Sequence, residues 1–223
     1  MNAACIIVAA GKSRRYGSKE LKQFVSLRGK PLFLWSVLAF KKIREFSQII
    51  VVVPAERVKS LLELEKKYGI EVVAGGKERH DSVFNGVKKL NENITLVAIH
   101  DAARPLVSGN LIISALQAAK KYGASVVAVK ARDTIKIVER KTGVVRKTIP
   151  RDEVWLAQTP QVFSRKIINR LYNNLVETQV TDDSQLAERL GIKVRIVEGS
   201  YSNIKVTDRA DLETAQILFN RFA

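Results

Sequence analysis

Short apolar runs separated by amphipathic segments constrain this chain more than any other feature. Residues 5–10, 49–53, 70–74, 96–99 and 124–129 each read as a strand of the length a central β-strand needs, and 49–53 is β-branched throughout. Between them lie helical patterns. In 30–41, Leu32, Trp35, Leu38 and Ala39 share one face and Pro31 suits the first turn. In 56–68, Val58, Leu61, Leu62 and Leu64 do the same before Gly69. Further helices are expected over 83–90 and over 111–122, the latter stopping at Gly123. Strand, helix, strand, helix in this order calls for a parallel sheet with right-handed crossovers and helices on both faces. The expectation is a single-domain α/β fold with a doubly wound, mostly parallel sheet over 1–223.

The first strand runs into a turn that is small and then densely cationic. Ala9, Ala10 and Gly11 carry little or no side chain, so the backbone can approach a ligand, and exposed N–H groups there form an anion site. Arg14, Arg15, Lys19 and Lys22 add full charges. A nucleoside triphosphate is the small polyanion such a loop suits. It is neither a P-loop, because position 6 is Ile rather than Gly, nor a dinucleotide fingerprint, because positions 13 and 16 are Ser and Tyr.

Two later turns share this character. Gly75-Gly76 ends a strand and is followed by Arg79, Asp81 and Ser82; Asp81 or Ser82 can cap the next helix, and Gly76 N–H with the Ser82 hydroxyl can read a base edge. Asp101 stands at the tip of an apolar strand before Ala102-Ala103-Arg104-Pro105. A carboxylate there suits Mg²⁺ shared with substrate phosphates, and equally suits an ion pair with Arg104. Zinc is not expected, since His80, His100 and Cys5 have no ligand spacing. Cys5 reads as a small apolar core residue.

Residues 134–138 and 144–148 read as a hairpin rich in exposed charge, and it interrupts the α/β series. A lone hairpin is marginal in water, so this arm, residues 131–152, is expected to pack on a second subunit. Residues 154–157 lead to Gln158-Thr159-Pro160-Gln161. Then come a helix over 165–175, one over 185–190 capped by Thr181-Asp182-Asp183-Ser184, a strand over 193–198, and a closing helix over 212–222 capped by Thr207 or Asp208. The net charge of +16 suits phosphorylated ligands, and its basic residues are scattered rather than gathered in a stripe, so nucleic acid is not expected. No run reaches the ~20 apolar residues of a membrane span, and the N-terminus lacks a signal-peptide pattern. With a single cysteine as well, a cytoplasmic protein is expected.

In order, Ala9-Ala10-Gly11-x-x-x-Arg15, Lys22-Gln23, Gly75-Gly76-x-x-Arg79-x-Asp81-Ser82, the run His100 to Pro105, Arg132-Asp133-Thr134, Thr159-Pro160-Gln161, Thr181-Asp182 and the run Asn203 to Thr207 span nearly the whole chain. This ordered set resembles the 2-C-methyl-D-erythritol 4-phosphate cytidylyltransferases of the non-mevalonate isoprenoid pathway. The departures are Lys12-Ser13, Tyr16 and Asp183, where members often carry a small pair, Met and Glu.

The resemblance implies a Rossmann-like nucleotidyltransferase fold and transfer of CMP from CTP to methylerythritol phosphate, with pyrophosphate leaving and no covalent enzyme intermediate. It places Arg15 and Lys22 on the transition-state charge. Ala9, Ala10, Gly11, Gly76, Arg79, Ser82, Asp101 and Ala102 fall at the nucleotide, with Asp101 at Mg²⁺. Arg151 and Lys205 fall at the acceptor phosphate, with Thr134, Thr159 and Thr181 nearby. It implies a homodimer whose arm reaches the other subunit's site. Two alternatives stay open at this point: a ribitol-5-phosphate cytidylyltransferase, and a non-catalytic basic protein that binds nucleotides or nucleic acid.

Overall fold

The computed structural model describes residues 1–11, 13, 16, 21–173 and 180–222. Its centre is a seven-stranded sheet. In chain order the strands and helices are β1 (Ala3–Val8), a small pair β2 (Ser26–Leu27) and β3 (Lys30–Pro31), α1 (Leu32–Lys41), β4 (Phe46–Val53), α2 (Leu62–Tyr68), β5 (Glu71–Ala74), α3 (Arg79–Val87), β6 (Leu96–Asp101), α4 (Gly109–Tyr122) and β7 (Ala124–Lys130). The hairpin β8 (Ile135–Val138) and β9 (Val145–Ile149) follows, then β10 (Trp155–Ser164), α5 (Arg165–Asn173), α6 (Asp183–Arg189), β11 (Arg195–Glu198) and α7 (Arg209–Phe222). The sheet order is β11-β7-β10-β6-β1-β4-β5.

β1 is central and parallel to both neighbours, with Ile6 opposite Ile50 on one side and Ile99 on the other. Its alternation distributes the core. Cys5 and Ile7 pack with Phe33, Val37 and Phe40 of α1 and Ile112 and Leu116 of α4. Ile6 points to the opposite face, with Val83 of α3 and Ile168 and Leu171 of α5. Two buried faces explain why β1, and β4 from Ile49 to Val53, are apolar at every position rather than at every second one. Burial also pushes the Cys5 thiol pKa upward. A third cluster forms where α7 returns, with Trp35 edge-on to Phe219 at 4.4 Å.

Several expected boundaries move. The helix expected from residue 30 begins at Leu32, because Lys30 and Pro31 pair with Leu27 and Ser26. The helix expected over 56–68 opens as 3₁₀ turns at Ala55–Arg57 and Lys59–Leu61 and becomes α-helical at Leu62. α3 begins at Arg79 rather than 83, with Glu78 as N-cap and Asp81 inside the first turn, its Oδ2 accepting from the Glu78 N–H at 2.9 Å. The largest addition is β10. Gln158 to Gln161, to which the sequence assigns no element, lie inside a ten-residue strand that runs antiparallel between β6 and β7, with a register shift against β7 between Ala157 and Gln161. Residues 174 and 175 of the expected helix after it lie outside the described residues.

Candidate active site

The loops after β1, β5 and β6 leave the carboxyl ends of parallel strands and converge on a cavity of about 470 Å³. Ligands in open α/β sheets sit at such ends. Ala9, Ala10 and Gly11 form one wall. Gln23 shapes that loop: its Nε2 donates to the carbonyls of Ala9 at 2.6 Å and Gly11 at 2.9 Å. Ser13 Oγ donates to Gln23 Oε1 at 3.0 Å and accepts from the Lys22 N–H at 3.1 Å, so the loop's return brings Lys22 to the cavity. Arg15 lies outside the described residues.

The opposite wall is the turn into α3. A Cβ on Gly75 would stand 2.4 Å from the Ala10 Cβ, and one on Gly76 2.2 Å from the Asp81 Cβ. Both glycines are therefore fixed by close approach, which lets the two walls face each other. Gly76 N–H donates to Ser82 Oγ at 3.1 Å, and that hydroxyl donates to the Glu78 carbonyl at 3.1 Å. The pair expected at the nucleotide is thus assembled as one unit in the lining.

Asp101, at the tip of β6, gathers the charges. Its Oδ2 is 2.6 Å from Lys205 Nζ and 3.9 Å from Arg104 Nε, and its Oδ1 is 3.4 Å from Arg79 NH2. Burial alone would raise the Asp101 pKa, but Lys205, Arg79 and Arg104 outweigh it and hold the carboxyl well below the usual range. Arg79 reaches the cavity from a rear anchor: NH1 lies 2.7 Å from Asp183 Oδ2, and the buried Tyr172 hydroxyl donates to the other oxygen of that carboxylate. Burial would lower the Arg79 pKa; Asp183 and Asp101 more than offset this and raise it. Asp182, next to Asp183, caps α6 with Oδ1 accepting from the Gln185 N–H at 2.9 Å.

Of the expected site residues, Ala9, Ala10, Gly11, Lys22, Gly76, Arg79, Ser82, Asp101, Ala102 and Lys205 line this cavity. Thr134, Arg151, Thr159 and Thr181 do not. Arg151 is exposed at the root of the arm, with NH1 donating to the Arg132 carbonyl at 2.8 Å. The Thr181 N–H donates to Gln185 Oε1 at 3.0 Å. Thr159 is buried behind Asp101, its hydroxyl oxygen 3.0 Å from both the Asp101 N–H nitrogen and His100 Nδ1. Two supports went unassigned in the sequence. Gln23 stands beside Lys22 in the motif, a signal that was available, whereas Asp183 meets Arg79 across 104 positions with no local trace.

Among the described residues, no three His, Cys, Asp or Glu side chains converge to hold a metal. The cavity lining carries two carboxylates, Glu78 at the N-cap of α3 and Asp101 at the tip of β6, so Asp101 fits a hard cation held chiefly by substrate phosphates, not an all-protein cage.

The comparisons agree on one family. Residues 3–221 match the family model described as 2-C-methyl-D-erythritol 4-phosphate cytidylyltransferase. A protein of that name from Endomicrobium trichonymphae is 45% identical over 97% of this chain and 98% of its own length. Another from Caldanaerobacter subterraneus is 40% identical over 99% of this chain and 100% of its own. The crystal structure of 4-diphosphocytidyl-2C-methyl-D-erythritol synthase from Anaerococcus prevotii superposes with a TM-score of 0.86 at 32% identity, covering 98% of each chain. A further crystal structure, the 2-C-methyl-D-erythritol 4-phosphate cytidylyltransferase from Thermus thermophilus, gives a TM-score of 0.83 at 30% identity, over 99% of this chain and 100% of that one. With its sheet order, its cationic cavity and its full-length relatives in accord, the chain belongs to the 2-C-methyl-D-erythritol 4-phosphate cytidylyltransferase family.

Proposed function

We propose that this chain transfers the CMP unit of CTP to the phosphate of 2-C-methyl-D-erythritol 4-phosphate, giving 4-diphosphocytidyl-2-C-methyl-D-erythritol and pyrophosphate. The observation that carries the reading is the convergence of Lys22, Arg79, Lys205 and the carboxylate of Asp101 on one cavity at the strand ends. A phosphate oxygen of the acceptor attacks the α-phosphorus. The new P–O bond forms as the bond to the β-phosphate oxygen breaks, and pyrophosphate leaves with the electron pair. Such a transfer needs positioning and charge neutralisation rather than a protein nucleophile. Ala10, Gly76 and Ser82 hold the cytidine, with Ala9, Gly11 and Ala102 forming the rest of its wall. Arg15 and Lys22 oppose the charge on the α-phosphate and the leaving group. Arg79 and Lys205 flank Asp101, and Lys205 turns to the acceptor phosphate.

Asp101 is the residue to hold Mg²⁺ together with the nucleotide phosphates, and the ion would neutralise triphosphate charge when bound. The working unit is a homodimer. The arm, residues 131–152, leaves Ile137, Val138, Val144 and Val145 exposed, as expected of a hairpin that packs on another surface. Arg151 and Thr134 at its root would serve the acceptor side of the second subunit's cavity, with Thr181 near the acceptor in its own. No described helix is long and apolar enough to cross a membrane. The setting we propose is the cytoplasm, with nucleotide and sugar phosphate, not nucleic acid, as partners.

The test is pyrophosphate release from CTP with methylerythritol phosphate or ribitol 5-phosphate supplied in turn, with and without Mg²⁺. Release with the first acceptor and Mg²⁺ supports the reading. Preference for the second would make the chain a ribitol-phosphate enzyme, and release with neither would leave a non-catalytic binder.

A further inference from the structure

His100 and Thr159 are buried just behind the cavity and do not line it. Their hydrogens can be placed by donor logic alone. His100 Nε2 is 3.1 Å from the Arg104 carbonyl, which only accepts, so Nε2 carries the proton. Nδ1 is then an acceptor, and the hydroxyl 3.0 Å away, that of Thr159, donates to it. The same hydroxyl oxygen accepts the Asp101 N–H at 3.0 Å. The chain of donors therefore runs one way, from Asp101 through Thr159 and His100 to the Arg104 carbonyl.

The arrangement has a backbone reason. β10 pairs with β6 from Ser164 as far as Gln161 opposite Ile99, and its pairing with β7 on the other side shifts register between Ala157 and Gln161. Next to that shift, the Thr159 side chain supplies the acceptor that the Asp101 N–H uses. The network also closes on Lys205. Arg104 NH1 donates to the Asn203 carbonyl at 2.7 Å, and Asn203 Nδ2 donates to the Thr159 carbonyl at 3.0 Å. The strand tip bearing Asp101 and the loop bearing Lys205 are thus fixed by one set of buried bonds.

We propose that His100 and Thr159 are positioning residues for the transfer, acting through the backbone of Asp101. The proposal rests on the role given to Asp101 above. The hydroxyl of Thr159 and the Nδ1 lone pair of His100 hold the Asp101 peptide, and with it the direction in which the carboxylate meets Lys205, Arg79 and the nucleotide.

The test is a mutant cycle on kcat and KM for CTP, with folding followed by thermal melting. Thr159→Val should lower kcat by about 10–100-fold, as loss of a group supporting a ligating carboxylate does, with a smaller change in KM. Thr159→Ser, which keeps the hydroxyl, should recover most of that rate. In an Asp101→Asn background, Thr159→Val should cost little more, because its effect passes through Asp101. If Asp101→Asn is impaired while Thr159→Val turns over like wild type, or if the two losses multiply, the positioning role is overturned. If Asp101→Asn itself is unimpaired, the Asp101 reading fails and this one with it. Should Thr159→Val not fold, His100→Leu and His100→Asn ask the same question. The asparagine can accept the Thr159 proton and the leucine cannot, so the asparagine variant should be clearly faster, and equal rates overturn the proposal.

Discussion

The ammonium of Lys205 lies 2.6 Å from Oδ2 of Asp101, although the two stand 104 positions apart. Arg79 and Arg104 complete a ring of three cations around that carboxylate. Asp101→Asn would leave those cations facing one another, and breaking a partly buried pair from one side is costly. The expected outcome is a ligand-free protein less stable by about 2 kcal/mol, with part of the positive charge still screened by solvent at Lys205. Mg²⁺-free CTP, which returns negative charge to the ring, should raise the melting temperature of the variant by more than it raises that of wild type. Equal shifts in a thermal-melting series would contradict this electrostatic picture. In turnover, the variant should need more Mg²⁺ than wild type.

Lys22 reaches the cavity on the return of the Ala9 to Gly11 loop, held from behind through Ser13 and Gln23. If its ammonium opposes charge that builds up in the transition state, Lys22→Ala should cut kcat by ~10²-fold or more and change the KM for CTP much less. A variant with normal kcat would remove Lys22 from the chemistry.

His100 gives a pH dependence to stability. Burial lowers its pKa from 6.5 to about 4, against a smaller raising effect of Asp101. Between those values the unfolded chain binds a proton that the folded one does not, so stability rises with pH through the window and is lost as pH falls from 6.5 towards 4. The span corresponds to about 3 kcal/mol. Urea unfolding at a series of pH values should show this slope in wild type and a shallower one in His100→Asn, where the carboxylates still titrate but this imidazole is gone. Parallel curves would show that His100 contributes no such linkage.

The arm makes a complementation claim. Arg151→Ala and Lys22→Ala homodimers should each be nearly inactive. Mixed in equal amounts and allowed to exchange, about half the dimers are heterodimers, each with one intact site and one doubly defective site. Activity should then return to roughly a quarter of wild type if the sites act independently. If native mass spectrometry shows heterodimers and no activity returns, Arg151 serves its own subunit.

How much of this was legible in the sequence depended on which physical signal each segment carried. β1, β4 and β6 could be read because both of their faces are buried, which produces uninterrupted apolar runs. β10 could not, because its centre is polar and satisfied internally: Gln161 donates to Asp182 Oδ2 at 2.9 Å and accepts the Ser184 N–H at 2.8 Å, while Gln158 bonds the Ser200 carbonyl. Buried amides with partners look like a loop in one dimension. The small residues and cations of the cavity were readable as local clusters in the turns after β1 and β5. The Lys205–Asp101 and Arg79–Asp183 pairs were not, since no periodicity links such distant positions. Nor does the sequence show that the Thr159 hydroxyl bonds Asp101 and His100, residues 58 and 59 positions away.

A crystal structure of the protein with CTP and Mg²⁺ tests the central claim most directly. The expected density places the cytosine between the Ala9 to Gly11 loop and the Gly76–Ser82 unit, with the triphosphate among Lys22, Arg79 and Lys205 and the cation within reach of Asp101. Nucleotide density elsewhere, such as in the second cavity lined by Trp35, Leu106 and Phe219, with the first left empty, would contradict the assignment of the site.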